Sequence, residues 1–189
     1  MAKQQTILVV HGSFGSPWEN WIPSTIESAK ASGWSAFAPH LPSPDAQTYE
    51  TWASIVDSYV ATGLISTSGT FVGHSSGAAF LARYIADRNM TEATFISVAG
   101  FNNFFSGDED FDRINSEFFI ADEELARVGA MAGRRVAFWG DNDPHLPLAE
   151  LEKFSSLIEA SAHVIPDGGH LNSGAGFTEF GLLVDAIRL

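Results

Sequence analysis

The chain has 189 residues, 45% of them hydrophobic, which suffices for one well-packed domain (residues 1–189) and is too short for two ordinary ones. It contains no cysteine, which excludes disulfides, thiolate zinc sites and a cysteine nucleophile. Ten Lys and Arg against 23 Asp and Glu leave a net charge of −13, the opposite of the basic footprint that nucleic acids and anionic membranes require, so neither is expected as a partner.

Strand and helix signals alternate along the chain. The N-terminus offers one lysine and the four-residue apolar run Ile7 to Val10, too short for a signal peptide, and the expected location is cytoplasmic. That run suits a strand buried on both faces. A loop from His11 to Pro17 follows, then a helix over 18–31 that Pro23 either kinks or delays, ended by Gly33. Residues 34–38 read as the second strand, and a proline-rich loop leads to Thr48, a plausible cap for a helix through Val60 with Trp52, Ile55, Val56 and Tyr59 at helical spacing. Further strands are expected at 70–72, 94–98, 135–139 and 163–165, with helices at 76–87, 148–158 and 177–187. The alternation implies a parallel sheet covered on both faces, with ligands bound beyond the carboxyl ends of its strands.

The third strand runs into Gly73-His74-Ser75-Ser76-Gly77, a match to G-x-S-x-G between a strand and a helix of small residues. In such an elbow both glycines are needed because a side chain at either place would strike the strand or the helix. The strained turn lifts Ser75 out of the sheet edge and aims the first amides of the helix beside it. A serine nucleophile needs a base, and six histidines compete. His11 and His74 sit where they support local structure, His40 lies in a proline-rich loop, His145 before a helix and His163 in a strand. His170 follows the last strand in a flexible Gly-Gly loop that can carry an imidazole to Ser75, and it is the expected base. The acid is expected after the strand between them, in Gly140-Asp141-Asn142-Asp143-Pro144. Asp143 is preferred to Asp141, which is placed to make a turn-stabilising hydrogen bond instead. A metal site built on Asp141, Asp143 and His145 lacks further ligands, so no metal is expected. The oxyanion donors are expected to be the backbone N–H groups of Ser76 and of Ser13, the latter in the loop after the first strand.

One interval, residues 100–121, breaks the rhythm with Phe101, Phe104 and Phe105, an acidic tract over 108–112 and a further Phe pair at 118 and 119. It reads equally as a small cap walling an apolar pocket and as a connecting loop anchored by its aromatics. The acidic tract lacks the EF-hand pattern and reads as a solvated face. Pocket residues expected on this basis are Phe14, Trp18, Phe101 and Phe104.

Ile7 to Gly12, Asn20-Trp21-Ile22-Pro23, the elbow, Asp143-Pro144 with Pro147, and Gly168-Gly169-His170-Leu171-Asn172 together resemble the small α/β-hydrolases of the retinoblastoma-binding-protein-9 type, over essentially the whole chain. The resemblance implies a three-layer α/β-hydrolase fold with a minimal six-stranded parallel sheet of order 2-1-3-4-5-6 and helices on both faces. It also implies a Ser75–Asp143–His170 triad and no cofactor. Without cysteine the chain cannot carry the L-x-C-x-E retinoblastoma-binding motif, so that partner is not transferred and any protein partner is unknown. The resulting expectation is a serine hydrolase acting on a small ester or amide. A hydrolase fold kept for binding, and thioester or peptide cleavage on the same triad, are the alternatives.

Overall fold

The computed structural model describes residues 4–188, so the extreme ends of the expected domain, residues 1–3 and 189, lie outside the described residues. Six parallel strands form one sheet: β1 (Thr6–Val10), β2 (Ser35–Phe37), β3 (Thr70–His74), β4 (Thr94–Val98), β5 (Arg135–Gly140) and β6 (Ser161–Ile165). Their order is β2-β1-β3-β4-β5-β6, as expected for an α/β-hydrolase sheet. The helices are α1 (Ile22–Ala31), α2 (Tyr49–Ala61), α3 (Ser76–Asp87), α4 (Glu109–Ser116), α5 (Asp122–Met131), α6 (Leu148–Leu157) and α7 (Gly181–Arg188).

Because side chains alternate across a strand, each central strand feeds two cores. Ile7 and Val9 of β1 pack with Val72, Ile96, Val136 and Phe138 against α1 and α7. Leu8 and Val10 pack with Phe71 and Phe95 on the other face, against α2, α3, α5 and α6. These side chains are fully or nearly fully buried, each contributing about 1.5–3 kcal/mol by leaving water.

The element boundaries shift for local reasons. The first helix begins at Ile22 rather than residue 18, with Pro23 in its first turn, where a missing N–H costs nothing. Thr48 caps α2 by accepting the Thr51 N–H at 3.1 Å. The last helix starts at Gly181, after a 3-10 turn at Ser173–Ala175.

The interval 100–121 contains α4, and α5 follows directly; neither helix is evident in the sequence. The acidic tract is the start of α4. Asp108 accepts the Phe111 N–H at 2.9 Å, and Glu109, Asp110 and Asp112 occupy the first turn, where the helix dipole favours negative charge. Asp112 also accepts the amides of Ser106 and Gly107, at 2.7 and 2.9 Å, and so closes the loop onto the helix.

The sheet order reverses at β1, whose neighbours are β2 on one side and β3 on the other. Chains leaving β1 and β3 therefore diverge to opposite faces and open a crevice at the carboxyl end of the sheet. Among the described residues no helix is long and apolar enough to cross a membrane.

Candidate active site

At that crevice lies a cavity of about 400 Å³. The loop after β1 lines it with His11, Ser13 and Phe14, the end of β3 with His74 and Ser75, and the loop after β6 with His170.

The elbow is as tight as its glycines require. A Cβ on Gly73 would stand 2.5 Å from Ala78 Cα, and one on Gly77 would strike the carbonyl oxygens of His11 and Val10 at the end of β1. Ser75 is held at φ 55° and ψ −127°, a strained conformation for a residue with a side chain, and its N–H remains in the sheet ladder through Val98 O at 2.8 Å. The Ser75 hydroxyl makes no hydrogen bond to another group among the described residues.

His170 Nδ1 meets Asp143 Oδ2 at 2.7 Å. The Asp143 side chain is 1% exposed. Its Oδ1 accepts the amides of His145 and Leu146 at 2.9 and 3.1 Å. Burial works to raise its pKa, but the bond to His170, the imidazole's proximity and the two amides outweigh it and hold the carboxyl below its ordinary value. An ionised carboxylate only accepts, so Nδ1 of His170 is the donor in this bond, and in the neutral imidazole the lone pair is then at Nε2. Asp143, and not Asp141, is thus the carboxylate at the imidazole. Asp141 instead accepts the Asp167 N–H at 2.9 Å, and Asn142 accepts the Gly169 N–H at 2.7 Å. Three consecutive residues after β5 therefore hold the His170 loop, two by its backbone and one by its imidazole.

His74 and His11 both have depressed pKa values. Burial is the largest cause for His74, with the adjacent His170 adding to it, and its pKa falls to about 3. Its Nε2 donates to the His170 carbonyl at 3.0 Å, and Trp21 packs edge-on against its ring. For His11 burial again dominates. Its Nε2 accepts the Leu41 N–H at 3.1 Å, so its Nδ1 must donate to Gly12 O at 2.8 Å. The Gly12–Ser13 peptide is thereby fixed at its carbonyl end, and Gly15 N–H adds a second bond at 3.2 Å. The Asn20-Trp21 stretch has a similar function: Trp21 Nε1 donates to Leu171 O at 2.9 Å and Asn20 accepts the Ser173 N–H at 2.8 Å, tying down the chain just beyond His170.

The expected oxyanion donors are differently engaged. The Ser76 N–H, first in α3, has no acceptor among the described residues, as is usual for the first amides of a helix. The Ser13 N–H donates to Ser76 Oγ at 2.8 Å, and Ser76 is fully buried.

Of the expected pocket residues, Phe14 lines the cavity and three do not. Trp18 is 71% exposed, facing away beside His40, because the chain between β1 and α1 is loop rather than helix at this point. Phe101 is wholly buried and Phe104 half-buried in an aromatic cluster with Phe119 and Trp139, which anchors the insertion to β5. The insertion contributes Phe111 instead, stacked on Phe101 with centroids 6.2 Å apart. His145 completes that side, its ring edge-on to His170 at 5.1 Å. Glu19, Asn20, Asn172 and Ser173 form the polar side.

A family model described as serine hydrolase matches residues 7–187. No curated protein matches the chain significantly. Among solved structures, the ydeN gene product of Bacillus subtilis superposes with a TM-score of 0.81 at 20% identity, covering 98% of this chain and 97% of that one. A meta-cleavage product hydrolase of Pseudomonas fluorescens gives 0.74 at 15%, covering 98% and 91%. Est1E of Butyrivibrio proteoclasticus gives 0.70 at 14%, covering 98% and 86%. At such identities the structures speak for the fold alone, which is that of the α/β-hydrolases.

Proposed function

The chain belongs to the serine hydrolase family, and from that premise we propose that it cleaves a small ester, or less readily an amide, through an acyl-enzyme formed on Ser75. The observation that carries this reading is the 2.7 Å bond between His170 Nδ1 and a buried, ionised Asp143, with His170 and Ser75 lining one cavity. Ser75 Oγ attacks the substrate carbonyl and His170 Nε2, the free lone pair, takes its proton and returns it to the leaving group. Hydrolysis repeats the sequence with water. Asp143 fixes the tautomer and stabilises the imidazolium. The amides of Ser76 and Ser13 stabilise the oxyanion.

Among the described residues Glu19 is the only carboxylate lining the cavity and no Lys or Arg joins it, so neutral or cationic esters suit it better than anionic ones. Ser75→Ala should lower turnover of short-acyl nitrophenyl esters by about 10⁴-fold or more while leaving the fold intact. A fluorophosphonate probe should label Ser75 alone. Retained turnover in the purified variant, or a protein that the probe ignores, rules the reading out and favours a hydrolase fold kept for binding.

A further inference from the structure

Behind the loop after β1 lies a hydrogen-bond network that reaches α4. Ser13 Oγ has three polar neighbours, Asn115 Oδ1 at 2.8 Å, Gln47 Nε2 at 2.6 Å and Ser76 Oγ at 2.8 Å, and the Ser13 N–H is held by Ser76 Oγ as well. Gln47 and Asn115 are buried polar side chains, Asn115 with no exposure at all.

Every proton in this network can be assigned. Asn115 Nδ2 donates to Phe111 O at 2.8 Å, which turns its Oδ1 toward Ser13. Gln47 Nε2 donates to Ile114 O at 3.0 Å as well as to Ser13 Oγ, and its Oε1 accepts from Ser43 Oγ at 2.6 Å. Ser13 Oγ has one proton, and Asn115 Oδ1, which can only accept, takes it. Ser76 Oγ must therefore donate to Ser13 Oγ, which leaves its own lone pairs for the Ser13 N–H. Ser43 Oγ, having given its proton to Gln47, accepts the Phe14 N–H at 2.6 Å. Both amides of the Ser13–Phe14 turn are thus oriented by side chains whose own orientation Gln47 and Asn115 dictate.

We propose that Gln47 and Asn115 are positioning residues for the oxyanion loop: by fixing the direction of each hydroxyl proton they hold the Ser13 N–H across the elbow, next to the Ser76 amide. The proposal rests on the reading above, in which these two amides are the donors. The neutral Ser76 hydroxyl accepts the Ser13 N–H and fixes its direction. A developing oxyanion is the stronger, charge-assisted acceptor and takes that N–H over as the tetrahedral intermediate forms. Because the exchange pays off only when charge develops, its effect belongs in kcat rather than in substrate binding. The network also makes α4 part of the site: Asn115 lies two turns from the acidic N-terminus of the helix, and Phe111, whose carbonyl orients Asn115, lines the cavity.

The test compares Asn115→Leu and Gln47→Met, which keep size and remove the hydrogen bonds, with Asn115→Asp, which keeps the acceptor for Ser13. Each is assayed on a nitrophenyl ester and titrated with a trifluoromethyl ketone, whose adduct with the serine carries an oxyanion. Both apolar variants should lose about 10- to 100-fold in kcat with KM changed by no more than about threefold, and should bind the ketone more weakly by a matching factor. Asn115→Asp should recover part of the loss. A merely structural role would lower melting temperature without this split. Should the apolar variants fail to fold, Ser13→Ala, on the exposed side of the network, must show the same loss. Folded apolar variants, or failing them Ser13→Ala, with kcat and ketone affinity within about twofold of the parent overturn the proposal while the hydrolase reading stands. A parent protein that fluorophosphonate does not label at Ser75 overturns both.

Discussion

At the scale of single residues, the run Asp141-Asn142-Asp143 shows how neighbours of similar chemistry acquire different duties. Asp143 faces the imidazole, and Asp141 and Asn142 hold the backbone of the loop that brings the imidazole in. Asp143→Asn presents an amide to His170, and the imidazole keeps the right geometry with the wrong tautomer. Its kcat should fall by about 10³- to 10⁴-fold. Asp141→Asn retains an oxygen that accepts the Asp167 N–H, so it should lose no more than about threefold. Steady-state kinetics of the two variants decides the matter, and a loss confined to Asp141→Asn would reverse the assignment. The sequence placed the acid in this loop, but the local turn bond expected of Asp141 is made by Asp143, which accepts the His145 and Leu146 amides, while Asp141 reaches the Asp167 N–H, 26 positions away. Asn142 was not legible, since an Asn in a Gly-rich turn is ordinary. Gln47 and Asn115 were hidden more deeply. They lie 34 and 102 positions from the serine they orient, and no local pattern marks a buried amide whose partners are remote.

At the scale of elements, the central strands β1 and β3 are buried along their whole length and announce themselves as apolar runs. The edge strands β2 and β6, partly buried and exposed respectively, were legible only from the alternation of strand and helix signals around them. The helices α4 and α5 were not legible. Each is short, with one apolar i, i+3 pair toward the core (Ile114 buried with Phe111 half-buried in α4, Leu125 and Val128 both buried in α5), and each has three acidic residues in its first turn that resemble a solvated loop. What makes them helices is a dipole matched by acidic first turns and a core to land on, with a side-chain cap for α4 alone, and only the cap is local. The elbow shows the converse, where a local rule fixes a long-range contact. Gly77→Ala places a methyl against the carbonyls of Val10 and His11, so the first turn of α3 must withdraw from β1. The strain should cost about 1–3 kcal/mol and widen the gap between the Ser76 and Ser13 amides. The expected outcome is a lower melting temperature together with reduced kcat, read by thermal unfolding and ester turnover on the same preparation. A variant with parental kcat would show that the site tolerates movement of α3.

At the scale of the whole molecule, the site imposes a stability cost in acid. His74 is enclosed between Trp21 and His170 and stays neutral, with a pKa of about 3, and His11 is depressed in the same direction by burial. In the unfolded chain both bind protons near the ordinary histidine pKa of about 6.5. Between those limits the unfolded state binds more protons than the native one, so stability rises with pH across the window. It is fully present above about pH 6.5 and is lost progressively as pH falls toward 3. Asp143 acts lower down: its folded pKa lies below the ordinary carboxylate value, so its contribution is complete above about pH 4 and disappears only as pH falls through the depressed value. Other carboxylates also titrate in acid, and protonating them relieves the repulsion of a chain with charge −13. The histidine contribution is therefore best read as a difference. His74→Gln keeps a side-chain amide able to donate to the His170 carbonyl but has nothing to protonate. Melting temperatures from pH 7 to pH 4 should fall more steeply for the parent than for His74→Gln, the two curves converging as pH drops. Parallel curves would mean that His74 does not resist protonation, and the pairing of a neutral His74 with the His170 carbonyl would have to be abandoned.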